Sequence, residues 1–234
     1  MRRSPVVIVL GLMLLLPAMV AGQEPGRTAG GGGTGAPGLY EELTLQEFRA
    51  MDEVRAEIDF DAVDYPLLHA AVHFLTNAER EARGLTPLEY APALERAAFR
   101  HSRAMREHGF FSHTSPLAGL RTPAERVQRA GWESPYVGEN IANMIAIAYE
   151  PGRGLYTPQQ NGGYFSYAHQ GAPIPPHTYL SAAEEVMNQW MSSPGHRENI
   201  LRPAYRYLGV GAWHFKDESF HGIDRFYFTQ NFGR

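Results

Sequence analysis

The chain predicts an α+β domain in which helices cover a small antiparallel sheet. Two observations carry that expectation. Apolar stripes at helical spacing dominate residues 65–130, and alternating, aromatic-rich segments come late, between residues 207 and 232. Helices first and strands afterwards favour helices on an antiparallel sheet over alternating βαβ units. The 234 residues allow one domain with a substantial core. Hydrophobic content of 44% and charged content of 20% suit a soluble globular protein. A net charge of -4 leaves no footprint for nucleic acid. With no cysteine, stability has to come from packing, and thiolate chemistry and thiolate metal sites are excluded.

The elements follow in order. Arg2 and Arg3 precede an apolar run at 6–16, then Pro17 and small residues up to Gly22. That is the layout of a secretory signal peptide over 1–22, with cleavage expected before Gln23. The run is shorter than the ~20 residues a spanning helix needs. The competing reading is an uncleaved anchor over 6–21, tilted in the bilayer, which would be the chain's only membrane contact. Residues 23–38 form a Gly-rich linker, with GRTAGGGGTGAPG at 26–38. Residues 39–65 are an N-terminal extension in which Leu45, Phe48, Met51 and Val54 predict a short amphipathic helix.

The main domain is expected over 66–234. Leu67, Leu68, Ala71, Val72, Leu75 and Ala78 form one helical stripe, stopped at Gly84. Leu88, Leu94, Ala97, Ala98 and Met105 form a second, stopped at Gly109. Thr122 as N-cap and Pro123 at the first helical position open a third, ended by Gly131. Residues 137–142 read as a strand. Residues 181–190 read as a helix, with Ser181 and Glu184 at capping-box spacing. Residues 207–215 and 225–232 alternate around a polar turn at 216–219 and read as a hairpin. Residues 149–176, rich in Gly, Pro, Tyr and Gln, show no period. So long a loop is a flap over a cleft or a solvated insertion.

Ten histidines are the reactive candidates. His69 and His73 stand one helical turn apart, a spacing that can bind metal, but no third ligand is near in sequence, so a partly exposed helix face is expected. The same holds for His101 and His108. His113, in FSHTSP, and His196, in SPGHRENIL, lie in turns between elements, where a side chain can be presented to a cleft. Glu139 opens an apolar strand, and Glu185 precedes Trp190 by five residues.

The segments FSHTSP, GENIA, AAEEVMNQW, SPGHRENIL, YLGVGAW and FTQNFG occur in the order found in the CAP superfamily of cysteine-rich secretory, antigen 5 and pathogenesis-related proteins. TNAER and HSRAM also look like its first two helices. The chain resembles the cysteine-free bacterial branch, the SCP-like extracellular domains, over about residues 66–234. The resemblance implies a three-layer α–β–α sandwich and a cleft lined by the tetrad His113, Glu139, Glu185 and His196. It also implies an extracellular role, several relatives binding sterols, fatty acids or other partners. The loop at 149–176 looks enlarged relative to small members of the family.

Two facing imidazoles, His113 and His196, can bind Zn²⁺ or another divalent cation, with the glutamates as orienting partners. A metal-free cluster of His–Glu hydrogen bonds is the alternative. The expected function is an exported binding module, periplasmic, cell-surface or secreted, taking a metal and a lipid, sterol, fatty acid or other apolar ligand. Tyr149, Tyr156, Tyr164, Phe165 and Tyr167 either line that apolar site or pack the loop. A second reading is a metal-assisted peptidase or esterase with Glu139 or Glu185 as general base, although HExxH and GxSxG are both absent. A third is an envelope-associated structural or signalling protein. Nothing in the pattern specifies an oligomeric state.

Overall fold

The computed structural model describes residues 37–234. The expected signal peptide and the linker before residue 37 lie outside the described residues. Those described fall into two compact units, Tyr149–Ile174 and the remainder. Among them, no helix is long and apolar enough to cross a membrane.

The larger unit runs α1 (Pro37–Glu41), α2 (Leu45–Ala50), α3 (Asp52–Arg55), α4 (Tyr65–Glu81), β1 (Glu89–Tyr90), α5 (Pro92–Glu107), α6 (Pro123–Arg129), β2 (Val137–Ile145), α7 (Tyr179–Ser192), α8 (Pro194–Ile200), β3 (Tyr207–Asp217) and β4 (Ile223–Gly233). The sheet order is β1-β3-β4-β2. β2 and β3 both pair antiparallel with β4. The two-residue β1 adds a parallel edge to β3 that the apolar pattern does not announce.

The alternation along the strands sets the layers. Leu208, Val210 and Ala212 of β3 and Phe226, Phe228 and Phe232 of β4 enter one core with Leu68 and Val72 of α4 and Val186 and Trp190 of α7. The intervening Gly209 and Gly211 face α5. A Cβ on Gly209 would lie 2.0 Å from Glu95 N, and one on Gly211 2.0 Å from Phe99 N. Helix α5 therefore rests its backbone on a strip of sheet that has no side chains. The result is α5 and α6 on one face and α4 and α7 on the other, the three-layer α+β sandwich. Several buried polar side chains bond across the layers. Gln230 Nε2 donates to Thr76 Oγ1 at 2.7 Å, Asn231 Nδ2 to the Leu94 carbonyl at 3.2 Å, and Trp190 Nε1 to the Ile141 carbonyl at 3.1 Å.

Local chemistry explains where the helices begin. Thr122 caps α6 in a capping box with Glu125, as its spacing predicts. Helix α7 starts before the expected Ser181. Thr178 is its cap, accepting from Ser181 N at 3.0 Å, and the Ser181 hydroxyl accepts from Thr178 N at 2.9 Å. Ser181 is thus the N3 residue that closes the box, not its N-cap. The turn expected around His196 is the seven-residue α8, with Pro194 at its first position. The amphipathic stretch of the extension is two short helices, broken where Met51 turns extended. Phe48 and Val54 are fully buried.

That extension corrects the expectation for His69 and His73. Both are buried, not partly exposed. Tyr40 packs edge-on against His73 at 4.9 Å and Phe48 stacks on Phe74 at 4.6 Å, so α4 is covered on its outer side. His69 Nε2 accepts from Ala212 N at 2.9 Å, bonding the helix to the sheet. His73, sealed from water, is pushed down to about 4.

The unit Tyr149–Ile174 has its own order. Ser166 bridges both Tyr156 and Pro173. Asn161 Nδ2 donates to Ser166 Oγ at 2.9 Å. Tyr149 stacks with Tyr167, Arg153 lies 3.8 Å over the Tyr167 ring, and Phe165 is buried.

Candidate functional site

The site forms along β2, the edge strand of the sheet. Successive residues of a strand point to opposite faces, so Glu139 turns towards α5 and α6, while Asn140 turns towards α8. Asn140 Nδ2 donates to the His196 carbonyl at 3.1 Å. Asn199 Nδ2 donates to Asn140 Oδ1 at 2.9 Å and to the Glu139 carbonyl at 3.2 Å. The asparagines of GENIA and SPGHRENIL thereby dock α8, and with it His196, against the strand.

His113 arrives from the other side. Gly109, at φ +64°, ends α5, and Ser115 N donates to the Arg121 carbonyl at 2.8 Å, closing the loop that carries the histidine. His113 Nδ1 lies 2.9 Å from Glu139 Oε1. An ionised carboxylate can only accept, so the proton sits on Nδ1. Nε2 lies on the other side of a ring whose side chain is 49% exposed.

Glu139 itself is enclosed. Its side chain is 1% exposed, and Arg126 Nη2 reaches Oε1 at 2.9 Å and Oε2 at 2.7 Å. Arg126 is buried as well. Its Nη2 also donates to the His113 carbonyl at 3.0 Å, and its Nη1 to the carbonyls of Leu120 and Arg121, both at 3.1 Å. This is a desolvated ion pair whose members are held by several further hydrogen bonds, the condition under which such a pair survives burial. His101 stands behind it, its Nε2 3.8 Å from Glu139 Oε1 and 3.1 Å from the Ser112 carbonyl. His101 is fully buried, not on a partly exposed helix face, and burial pushes it down to about 4.

The four sequence candidates are thus brought together unequally. His113 and Glu139 are hydrogen-bonded. His196 is half-buried and is held below its ordinary value by that burial first and by the nearby His113 second. Glu185 accepts from Gln189 Nε2 at 3.1 Å and acts on His177, whose lowered value comes from burial and is partly offset by Glu185. Among the described residues no hydrogen bond or ion pair joins Glu185 to His113, Glu139 or His196. The candidates also omitted Arg126, His101, Asn140 and Asn199. One signal for Arg126 was present: a glutamate in an apolar strand requires a cation, and α6 carries two arginines. Which of them turns inward depends on the tertiary packing.

This arrangement suits holding an imidazole more than removing a proton. Both oxygens of Glu139 are engaged and sealed from solvent. Among the described residues no group of three His, Asp or Glu is disposed to hold a metal ion. Glu139 instead orients the His113 ring through its Nδ1.

Comparison with known proteins places this chain in a family. The family model described as the cysteine-rich secretory protein family, CAP, matches residues 73–155 and 139–232. The uncharacterised protein YkwD of Bacillus subtilis is 33% identical over 137 residues, covering 58% of this chain and 39% of the relative. The uncharacterised membrane protein YlbC of the same organism is 28% identical over 158 residues, covering 68% and 32%. The chain thus spans less than half the length of these curated relatives. Among solved structures, an extracellular SCP-domain protein from Bacillus anthracis is 24% identical with a TM-score of 0.48, covering 82% of this chain and 44% of that one. A cysteine-rich secretory protein from Staphylococcus aureus is 15% identical with a TM-score of 0.41, covering 72% and 39%.

Proposed function

Because the chain belongs to the cysteine-rich secretory protein (CAP) family, we propose that it is an exported binding module whose His113 and His196 capture a divalent cation such as Zn²⁺. The observation that carries this reading is the bond from His113 Nδ1 to a glutamate clamped by Arg126. That bond fixes the tautomer and aims the remaining nitrogen outward. Two imidazoles give modest, exchangeable affinity, with waters completing the coordination sphere. A metal held there would supply Lewis-acid polarisation of whatever ligand it also touches. The chain's residues would hold and orient it. A hydrolase using Glu139 as base is disfavoured, since that carboxylate has no unengaged oxygen.

Export rests on the sequence pattern at 1–22. N-terminal sequencing of protein recovered from cell exterior and membrane fractions tests it. Metal binding is tested by calorimetric Zn²⁺ titration of protein purified without chelator. One site is expected, lost in His113→Ala and in His196→Ala and weakened about 10–100-fold in Glu139→Gln. Unchanged stoichiometry in both histidine variants would sink the reading.

A further inference from the structure

Helix α1 is a short strap laid over the outer side of α4 and the start of α5. Its 5 residues cannot hold a helix by themselves, since isolated helices below ~12–15 residues are marginal in water. Gly38, Leu39 and Tyr40 are each only half-buried. The Gly-rich stretch GRTAGGGGTGAPG runs into it. Glu42 and Leu43 separate it from α2, which has its own capping box at Thr44 and Glu47 and its own anchor in the fully buried Phe48. The seating of α2 is therefore independent of α1.

One ring carries the docking of the strap. The Tyr40 ring stacks on Tyr90 at 3.9 Å with 6° between their planes, and His73 meets it edge-on at 4.9 Å. The Tyr40 hydroxyl donates to Glu95 Oε2 at 3.0 Å, while the Tyr90 hydroxyl donates to Oε1 of the same carboxylate at 3.2 Å. Burial first and the Glu95 charge second push the Tyr40 hydroxyl up, so it keeps its proton and stays a donor. A parallel aromatic face, an aromatic edge and a buried carboxylate at the hydroxyl together select a phenol over a plain ring.

These walls are fixed by bonds in which α1 takes no part. Asn77 clamps the segment before β1, its Oδ1 accepting from Leu88 N at 2.7 Å and its Nδ2 donating to the Leu88 carbonyl at 2.9 Å. Tyr90 is paired with Leu208 in the sheet, and the flanking Glu89 N and Ala91 N donate to the Arg206 and Leu208 carbonyls at 2.8 and 3.0 Å. Glu95 stands in the first turn of α5, where that helix rests on Gly209. Beside the Tyr40 ring lies a cavity of about 360 Å³, bounded by that ring together with His73, Phe74, Pro87, Leu88 and Tyr90. A volume in this range suits a small ligand.

We propose that this preformed socket is a binding site for a phenol ring, occupied by the chain's own Tyr40, and that a phenol or a tyrosine side chain from outside takes it in exchange. The exchange replaces one phenol by another, so the incoming ring remakes the stacking on Tyr90 and the bond to Glu95. Tyr40 competes from a short tether, at an effective concentration of about millimolar. An outside ring therefore succeeds when its substituents gain contacts in the adjoining cavity.

The test is calorimetric titration of the full chain and of Tyr40→Ala with p-cresol, with toluene, and with a peptide copying residues 37–43. Tyr40→Ala should bind p-cresol saturably and one-to-one, with toluene at least about tenfold weaker, since the bond to a buried carboxylate is lost. The peptide binding more tightly than p-cresol marks a tyrosine-bearing chain as the ligand, and the reverse order marks a free phenol. Tyr40→Phe keeps the strap's ring and its packing but removes the hydroxyl, so it is a weaker competitor and should bind p-cresol about tenfold more tightly than the parent. Hydrogen exchange at the Glu42 amide, which donates to the Gly38 carbonyl at 3.1 Å, reads the strap itself. It should speed up severalfold in the parent as p-cresol saturates. Equal affinity of Tyr40→Ala for p-cresol and toluene overturns the site, as does the absence of saturable p-cresol binding in both variants. Exchange at Glu42 unchanged by p-cresol overturns the displacement of Tyr40. Neither a metal nor His113 or His196 enters these readouts, so the socket and the cation reading fail separately.

Discussion

Replacing Gly211 with alanine tests the layer arrangement at its tightest point. The new Cβ would lie 2.0 Å from Phe99 N and 2.4 Å from Ala98 C, all backbone of α5. An ordinary contact begins at 3.4 Å, so the helix must retreat by more than about 1 Å, or the strand must bend away. Neither neighbour is a flexible side chain that can swing aside. Overpacking of a core by one carbon costs about 1–3 kcal/mol when side chains can adjust. With helix backbone as the obstacle, the upper end, about 3 kcal/mol, is expected. For a domain of this size that is a fall in melting temperature of roughly 6–12 °C. Gly195 supplies the control. It lies in α8, with nothing within 4 Å of its would-be Cβ and no positive φ. Gly195→Ala should be neutral or stabilise by up to about 1 kcal/mol. Thermal melts followed by circular dichroism, with urea midpoints as a second measure, compare the two. Equal stability of Gly211→Ala and Gly195→Ala would refute the close seating of α5 on β3.

Two other outcomes follow from the buried charges. Arg126→Met leaves Glu139 without its cation, an expected loss of about 3–5 kcal/mol, and adding Glu139→Gln should recover much of it; a double variant no more stable than the single in urea melts would contradict the ion-pair account. His73 and His101 ordinarily titrate at 6.5 and are held at about 4 in the fold, so between those values the unfolded chain binds more protons and stability falls as pH drops. The loss from each is about 3 kcal/mol, complete below pH 4 and nil above about 7. Urea midpoints of His73→Gln should decline less steeply from pH 6.5 to 4 than those of the parent, and parallel declines would count against it.

The helices were legible because their signals are local. Thr122–Pro123 and the stripe of α4 can be read from neighbouring residues alone, and so can the alternation of the hairpin. The glycines of YLGVGAW are visible too, but not their purpose, since that depends on α5 lying across them from more than a hundred residues away. The burial of His69 and His73 was hidden for the same reason. One face of α4 is apolar as the stripe requires, while its other face is covered by a segment that resembles a surface extension. The site divides in the same way. Its four candidates came from a motif resemblance, which preserves order along the chain. The partner that holds Glu139 comes from α6, whose motif is only a helix start.

A single strand organises what remains. Because β2 is the sheet edge and alternates, Glu139 and Asn140, adjacent in sequence, act on opposite layers. Glu139 binds α6 through Arg126 and orients His113, while Asn140 binds α8 through Asn199 and the His196 carbonyl. A displacement of β2 along its axis would therefore carry both histidines' supports with it. A displacement of α6 alone would disturb His113 and leave His196 fixed. Arg126 is the one group on α6 that touches both Glu139 and the His113 carbonyl.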